Sequence, residues 1–151
     1  MALTAKLNDI IEAFRMLDRE MRLEMLLDYS KRLPKLPERF RAERDAGLHR
    51  VPECMTPVFL WVEPDDGRVR LFVDVAEEAP TVKGFLSILV DAYDDATPDD
   101  IAELPEDLLQ RLGLSEVIRM NRAIGLSSII QRIKREAAES IRANGHENGS
   151  G

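Results

Sequence analysis

The chain has 151 residues, one cysteine and a formal net charge of -7. An internal disulfide is therefore excluded, and the thiol acts alone or with a partner's sulfur. The acidic balance argues against nucleic acid, whose phosphates need clustered Lys and Arg on one accessible face.

A single domain of this length buries roughly 70% of the surface its unfolded chain exposes, so no staple is required. A zinc site would have to combine Cys54, His49, His146 and carboxylates at poor spacing. At the N-terminus Lys6, Asp9 and Glu12 interrupt any secretory apolar run, and no stretch reaches membrane-spanning length. A cytoplasmic, reducing location without membrane contact is the expectation.

Leu3, Leu7, Ile10, Ile11 and Phe14 follow the three-and-four spacing of one helix face. Asp18 suits the cap of a second helix running to Arg32, in which the apolar positions Met21, Leu26 and Leu27 alternate with charges in helical fashion, and Pro34 stops it. Pro37 then opens a short charged helix that Gly47 closes. After Gly47 the pattern changes. "VFLWV" and "VRLFVDV", joined by "PDDGR", read as a hairpin. Its second arm sends Val69, Leu71, Val73 and Val75 one way and Arg70, Phe72 and Asp74 the other. "LHRV" before the cysteine suits a short third strand.

Helical spacing returns at Pro80, with Val82, Phe85, Leu86, Leu89 and Tyr93 on one face. Two short helical pieces follow around "TPDDIAEL" and "PEDLLQRLGL", each with a proline near its start. A last long helix is predicted from about Met120 to Arg142, with Leu126, Ile129, Ile130, Ile133, Ala137 and Ile141 inward. Its basic residues Arg132, Lys134, Arg135 and Arg142 alternate with Glu136 and Glu139 and read as a solvated face. The predicted architecture is α+β: a small antiparallel sheet of about three strands packed against N-terminal and C-terminal helices. One domain over 1–143 and a disordered tail over 144–151 complete it.

The residue with chemistry to offer is Cys54, in "VPECMTP" at the mouth of the first strand. A free cysteine often serves as a small buried hydrophobe. Against that reading, Pro52 and Pro57 restrict this loop, and loops carry function more often than core strands do. Reactivity requires the thiolate, only a few per cent of an unperturbed thiol at neutral pH. His49 could assist it as a base, giving a cysteine hydrolase, whereas Glu53 alongside would oppose ionisation. The acidic runs lack metal-ligand spacing, and "VKGFLS" has too few glycines to cradle a phosphate.

Three blocks, in order, resemble the SufE family of cysteine-desulfuration proteins in iron–sulfur cluster assembly. They are "LPKLPERF" with "VPECMTPVFLWV", "EEAPTVKGFLSILVDAYDDATPDDI", and "LGLSEVIRMNRAIGLSSIIQRIKREA". The resemblance implies a SufE/IscU-like fold and no metal or cofactor of the chain's own. It implies that Cys54 accepts persulfide sulfur from a pyridoxal-phosphate (PLP)-dependent cysteine desulfurase, SufS-like, and stimulates that enzyme. The sulfur then passes to the Fe-S scaffold complex, SufBCD-like. The family's loop arginine maps onto Arg122, whose charge favours a thiolate or persulfide anion. A sulfur carrier of this kind is an activator rather than a stand-alone enzyme, and the alternative is a binding module that docks on the desulfurase without transferring sulfur. The chain departs from the family at Glu53 and Thr56, where glycine and serine are usual, and in "AEEA" and "RMNR". An apolar pocket beside Phe59 and Trp61 is expected to shelter the thiol.

Overall fold

A computed structural model describes residues 4–149, with the side chains of residues up to 140 apart from Asn121. Helix α1 spans Ala5–Arg15 and begins where the Thr4 hydroxyl accepts from the Leu7 N–H. It buries Leu7, Ile10, Ile11 and Phe14, the predicted face; Leu3 lies outside the described residues. Helix α2, Arg19–Ser30, is capped by Asp18, whose carboxylate accepts from the Met21 N–H at 2.9 Å. Its inward residues are Leu26, Tyr29 and Ser30, while Met21 is exposed. Of the three apolar positions in the helical pattern, Leu26 is buried, Leu27 half-buried and Met21 exposed. The cap holds Met21 at the open first turn, and the helix meets its neighbour only further along.

A single 3-10 turn, Glu38–Phe40, runs into α3, Arg41–Asp45, and Gly47 ends this stretch at φ +81°, a backbone shape that glycine adopts freely. Strands β1, Val58–Asp65, and β2, Arg68–Val75, pair antiparallel from Val58 opposite Val75 to Asp65 opposite Arg68. Asp66 and Gly67, both at positive φ, make the two-residue turn between them. Val69, Leu71, Val73 and Val75 are buried and their alternates are not, as period-two patterning requires.

Among the described residues the sheet has two strands rather than about three. The "LHRV" segment contributes one isolated bridge, Arg50 to Phe59, with the His49 carbonyl accepting from the Leu60 N–H and the Val51 N–H donating to the Val58 carbonyl. It cannot extend. His49 stands at φ +63°, off the extended geometry, and Pro52 has no N–H for a further rung. A second bridge, Val69 to Ala96, covers the opposite edge of the hairpin.

Helix α4, Pro80–Tyr93, is buried at Val82, Phe85, Leu86, Leu89 and Tyr93 as predicted, and also at Gly84, Ser87, Ile88 and Ala92. It lies between α2 and β2, which explains why more than one face is apolar. Gly84 permits this layering, because a Cβ there would run into the Leu26 carbonyl. Short helices α5, Pro98–Ala102, and α6, Leu108–Arg111, follow, the first closed by a capping box between Thr97 and Asp100.

Helix α7, Met120–Gly149, packs along β1 and α5, burying Leu126, Ile129, Ile130, Ile133 and Ala137. Its backbone continues past the predicted Arg142; the side chains of the predicted tail and of Ile141 lie outside the description. No described helix is long and apolar enough to cross a membrane.

The hairpin has two unlike faces. Val58, Leu60 and the inward side of β2 join the main core with α4 and α7, whereas Trp61 packs with Leu36 and Phe40, flanked by Phe59 and Phe72.

Candidate functional site

Cys54 lies in a loop closed at its base. The Val51 N–H donates to Val58 at 2.9 Å across residues 52–57, and the Cys54 N–H turns back onto the Val51 carbonyl at 3.2 Å. From α7, the Arg132 guanidinium donates to the Arg50 carbonyl at 2.7 Å while pairing with Glu136 at the same distance. Arg132 therefore pins the chain just ahead of the cysteine and is not merely one of a solvated row. Lys134 likewise reaches the Leu104 carbonyl.

Cys54 is 8% exposed and packs into the main core. Its seat is the backbone of α7: a Cβ on Gly125 would sit 3.0 Å from Cys54 Sγ and 3.4 Å from the Glu53 carbonyl oxygen. Any side chain at this position would require the sulfur to give by a few tenths of an ångström. The thiol borders a cavity of about 190 Å³ lined by Cys54, Met55, Thr56, Val82, Arg122 and Leu126. The shelter consequently forms on the α4–α7 side of the hairpin, not beside Phe59 and Trp61, which belong to the other face. Two larger clefts, of about 260 and 300 Å³, do not border the thiol.

Burial, reinforced by the Glu53 carboxylate and opposed by Arg50, pushes the Cys54 thiol up to about 11. At rest the group is a neutral thiol. Arg122, in the first turn of α7, reaches the same cavity and donates to the Thr81 hydroxyl at 3.2 Å. Thr81 opens α4, so the first turns of two helices converge on the cavity together with the guanidinium, all favouring negative charge.

Cys54 and Arg122, named from the sequence, thus line one cavity, and His49 stands elsewhere. Its Nε2 lies 2.9 Å from Glu43 Oε2, which also accepts from Trp61 Nε1 at 3.2 Å, and its ring stacks on Trp61 with centroids 5.3 Å apart. An imidazole so occupied is no base for the thiol, and the hydrolase dyad lacks its geometry. Gly125 and Thr81 have no role in the sequence reading, and Arg132 figures there only as part of a solvated face. The dipeptide Gly125-Leu126 inside a helical pattern was a signal for Gly125, since an interior helical glycine often marks a close approach. Thr81, 41 residues from Arg122 along the chain, left none.

Residues 8–137 match the family model described as "SufE: Fe-S metabolism associated domain". The chain belongs to the SufE family. An uncharacterized SufE-like protein of Mycobacterium tuberculosis is 36% identical over 140 residues, covering 92% of this chain and 96% of that one. A SufE-like protein of Synechocystis is 30% identical over 136 residues, covering 89% and 82%. Among solved structures, the solution structure of a hypothetical protein from Thermus thermophilus shares the fold, with TM-score 0.80 and 30% identity over 93% of this chain and 99% of that one. SufE membership implies a sulfur-transfer role in iron–sulfur metabolism.

Proposed function

We propose that this SufE chain, one domain over 1–143, is a cytoplasmic sulfur acceptor and carrier. Cys54 takes persulfide sulfur from a PLP-dependent, SufS-like cysteine desulfurase, stimulates that enzyme by emptying its active-site cysteine, and passes the sulfur to a SufBCD-like scaffold. The observation carrying this reading is that the chain's one thiol borders a cavity it shares with Arg122, whose charge suits a sulfur anion.

In the resting chain the thiol is neutral and protected, because burial disfavours the thiolate that attacks persulfides and oxidants alike. Docking lifts the 52–57 loop from α7, hydrating the thiol and lowering its pKa. The Cys54 thiolate, its proton released to solvent, attacks the outer sulfur of the desulfurase persulfide. One S–S bond forms on Cys54; the other breaks, and its electron pair leaves on the desulfurase thiolate. No net oxidation occurs. With one cysteine in the chain, no internal thiol can attack the inner sulfur and expel sulfide.

The deep burial of the thiol also favours a second reading, a module that docks on the desulfurase and never carries sulfur. Cys54→Ser separates the two. Carrier function requires that stimulation of the desulfurase, measured as sulfide or alanine release, be lost with the thiol; docking alone leaves stimulation at the wild-type level.

A further inference from the structure

The cavity beside Cys54 holds about 190 Å³, several times the roughly 30 Å³ share of one water molecule. Cys54 is part of its wall, and its Sγ lies so near Gly125 that a Cβ there would stand 3.0 Å away. A sulfur added to Sγ projects about 2.05 Å further along an S–S bond, and the cavity supplies space for it between Val82, Leu126 and Arg122. On the empty thiol the Glu53 carboxylate opposes ionisation and Arg50 favours it. Arg122 is engaged elsewhere, by the Thr81 hydroxyl at 3.2 Å. Arginine has a long, rotatable side chain, and one hydrogen bond from a β-branched residue on a neighbouring helix restricts it.

We propose that Thr81 is a positioning residue: it fixes the Arg122 guanidinium at the cavity wall, where the charge meets the terminal sulfur of a loaded Cys54 rather than the empty thiol. The ligand is thus the outer sulfur of a cysteine persulfide. Discrimination follows from reach, because the outer sulfur enters the cavity that the thiol only borders. The consequence is a carrier whose loaded form is held as an anion while its empty form stays neutral. This rests on the carrier reading above.

The test loads the full chain with inorganic polysulfide at pH 9. The Cys54 thiolate attacks a terminal sulfur, one S–S bond forms, another breaks, and a polysulfide one sulfur shorter departs with the electron pair. After desalting, iodoacetamide alkylation across pH, read by peptide mass spectrometry, reports persulfide and empty thiol separately. Thr81→Val is expected to slow persulfide alkylation about fivefold below its titration midpoint, the worth of one hydrogen bond, and to leave thiol alkylation unchanged. Thr81→Ser, which keeps the hydroxyl, is expected to match wild type, and in an Arg122→Ala background Thr81→Val is expected to add nothing. Wild-type persulfide behaviour in Thr81→Val overturns the proposal; so does an equal shift of thiol and persulfide, or a full effect without Arg122. Failure of polysulfide and desulfurase alike to load Cys54 in any variant sinks the carrier reading itself.

Discussion

Gly125→Ala probes the seat of the thiol. The added methyl carbon would stand 3.0 Å from Cys54 Sγ, so the sulfur must give about 0.4 Å to reach ordinary contact at 3.4 Å. Helix propensity favours alanine by about 1 kcal/mol, and overpacking typically costs about 1–3 kcal/mol, so the variant remains folded with a stability change within about 2 kcal/mol. The chemical effect is larger. A thiol at about 11 is about 0.01% ionised at pH 7, and full return to its ordinary value of 9.0 raises that fraction roughly 100-fold. Alkylation of Cys54 at pH 7 is accordingly expected to accelerate at least about tenfold, with that ratio as its ceiling. The assay is iodoacetamide labelling followed by mass spectrometry, with a circular dichroism melt as control. A folded Gly125→Ala protein that alkylates at the wild-type rate refutes the claim that the thiol is sealed against α7.

Because the folded chain holds the Cys54 thiol up to about 11 from an ordinary 9.0, its contribution to stability is full below the ordinary value and is lost as pH rises toward the folded one. Denaturant titrations of wild type and Cys54→Ala should therefore diverge over that range, with wild type losing at most about 3 kcal/mol relative to the variant; parallel curves contradict it. Tyr93, also raised, to about 12, is common to both proteins and cancels. Gly84→Ala forces a methyl onto the Leu26 carbonyl between α2 and α4 and is expected to cost about 2–4 kcal/mol in a urea melt, toward the upper end for overpacking; an unchanged midpoint would show that the helices separate freely. His49→Ala should retain sulfur transfer within about twofold, since no proton transfer is lost, while shifting the fluorescence of Trp61, on which the imidazole stacks.

The features legible in the sequence are those encoded by local periodicity. Val69 to Val75 alternate as a half-buried strand must, and Leu126 to Ala137 recur at helical spacing, so both faces followed from solvent exclusion alone. Met21 also fits helical spacing yet is exposed, because periodicity states which residues share a face and not how far the neighbouring element extends. The third strand failed on backbone geometry: His49 at positive φ has no signature in residue type. The site was legible by half. Cys54 stood out as the one thiol, and Arg122 through family resemblance, but the Gly125 seat, the Thr81 hydrogen bond and the Arg132 clamp on Arg50 join residues 41 to 82 positions apart or depend on backbone packing. Contacts of that range are set by how elements dock. The shelter forms on the face opposite Phe59 and Trp61 for the same reason, since β1 is apolar on both sides and only docking decides which one meets the loop.

In the proposed function the buried thiol becomes a temporary carrier of sulfur when a desulfurase docks. Incubating the chain with a cysteine desulfurase and free cysteine, then weighing the peptide that contains Cys54, addresses it most directly. An added sulfur on that peptide, removed by reductant and absent when the desulfurase is omitted, is the expected result. An unmodified peptide, recovered from a mixture in which the desulfurase is nonetheless stimulated, contradicts it.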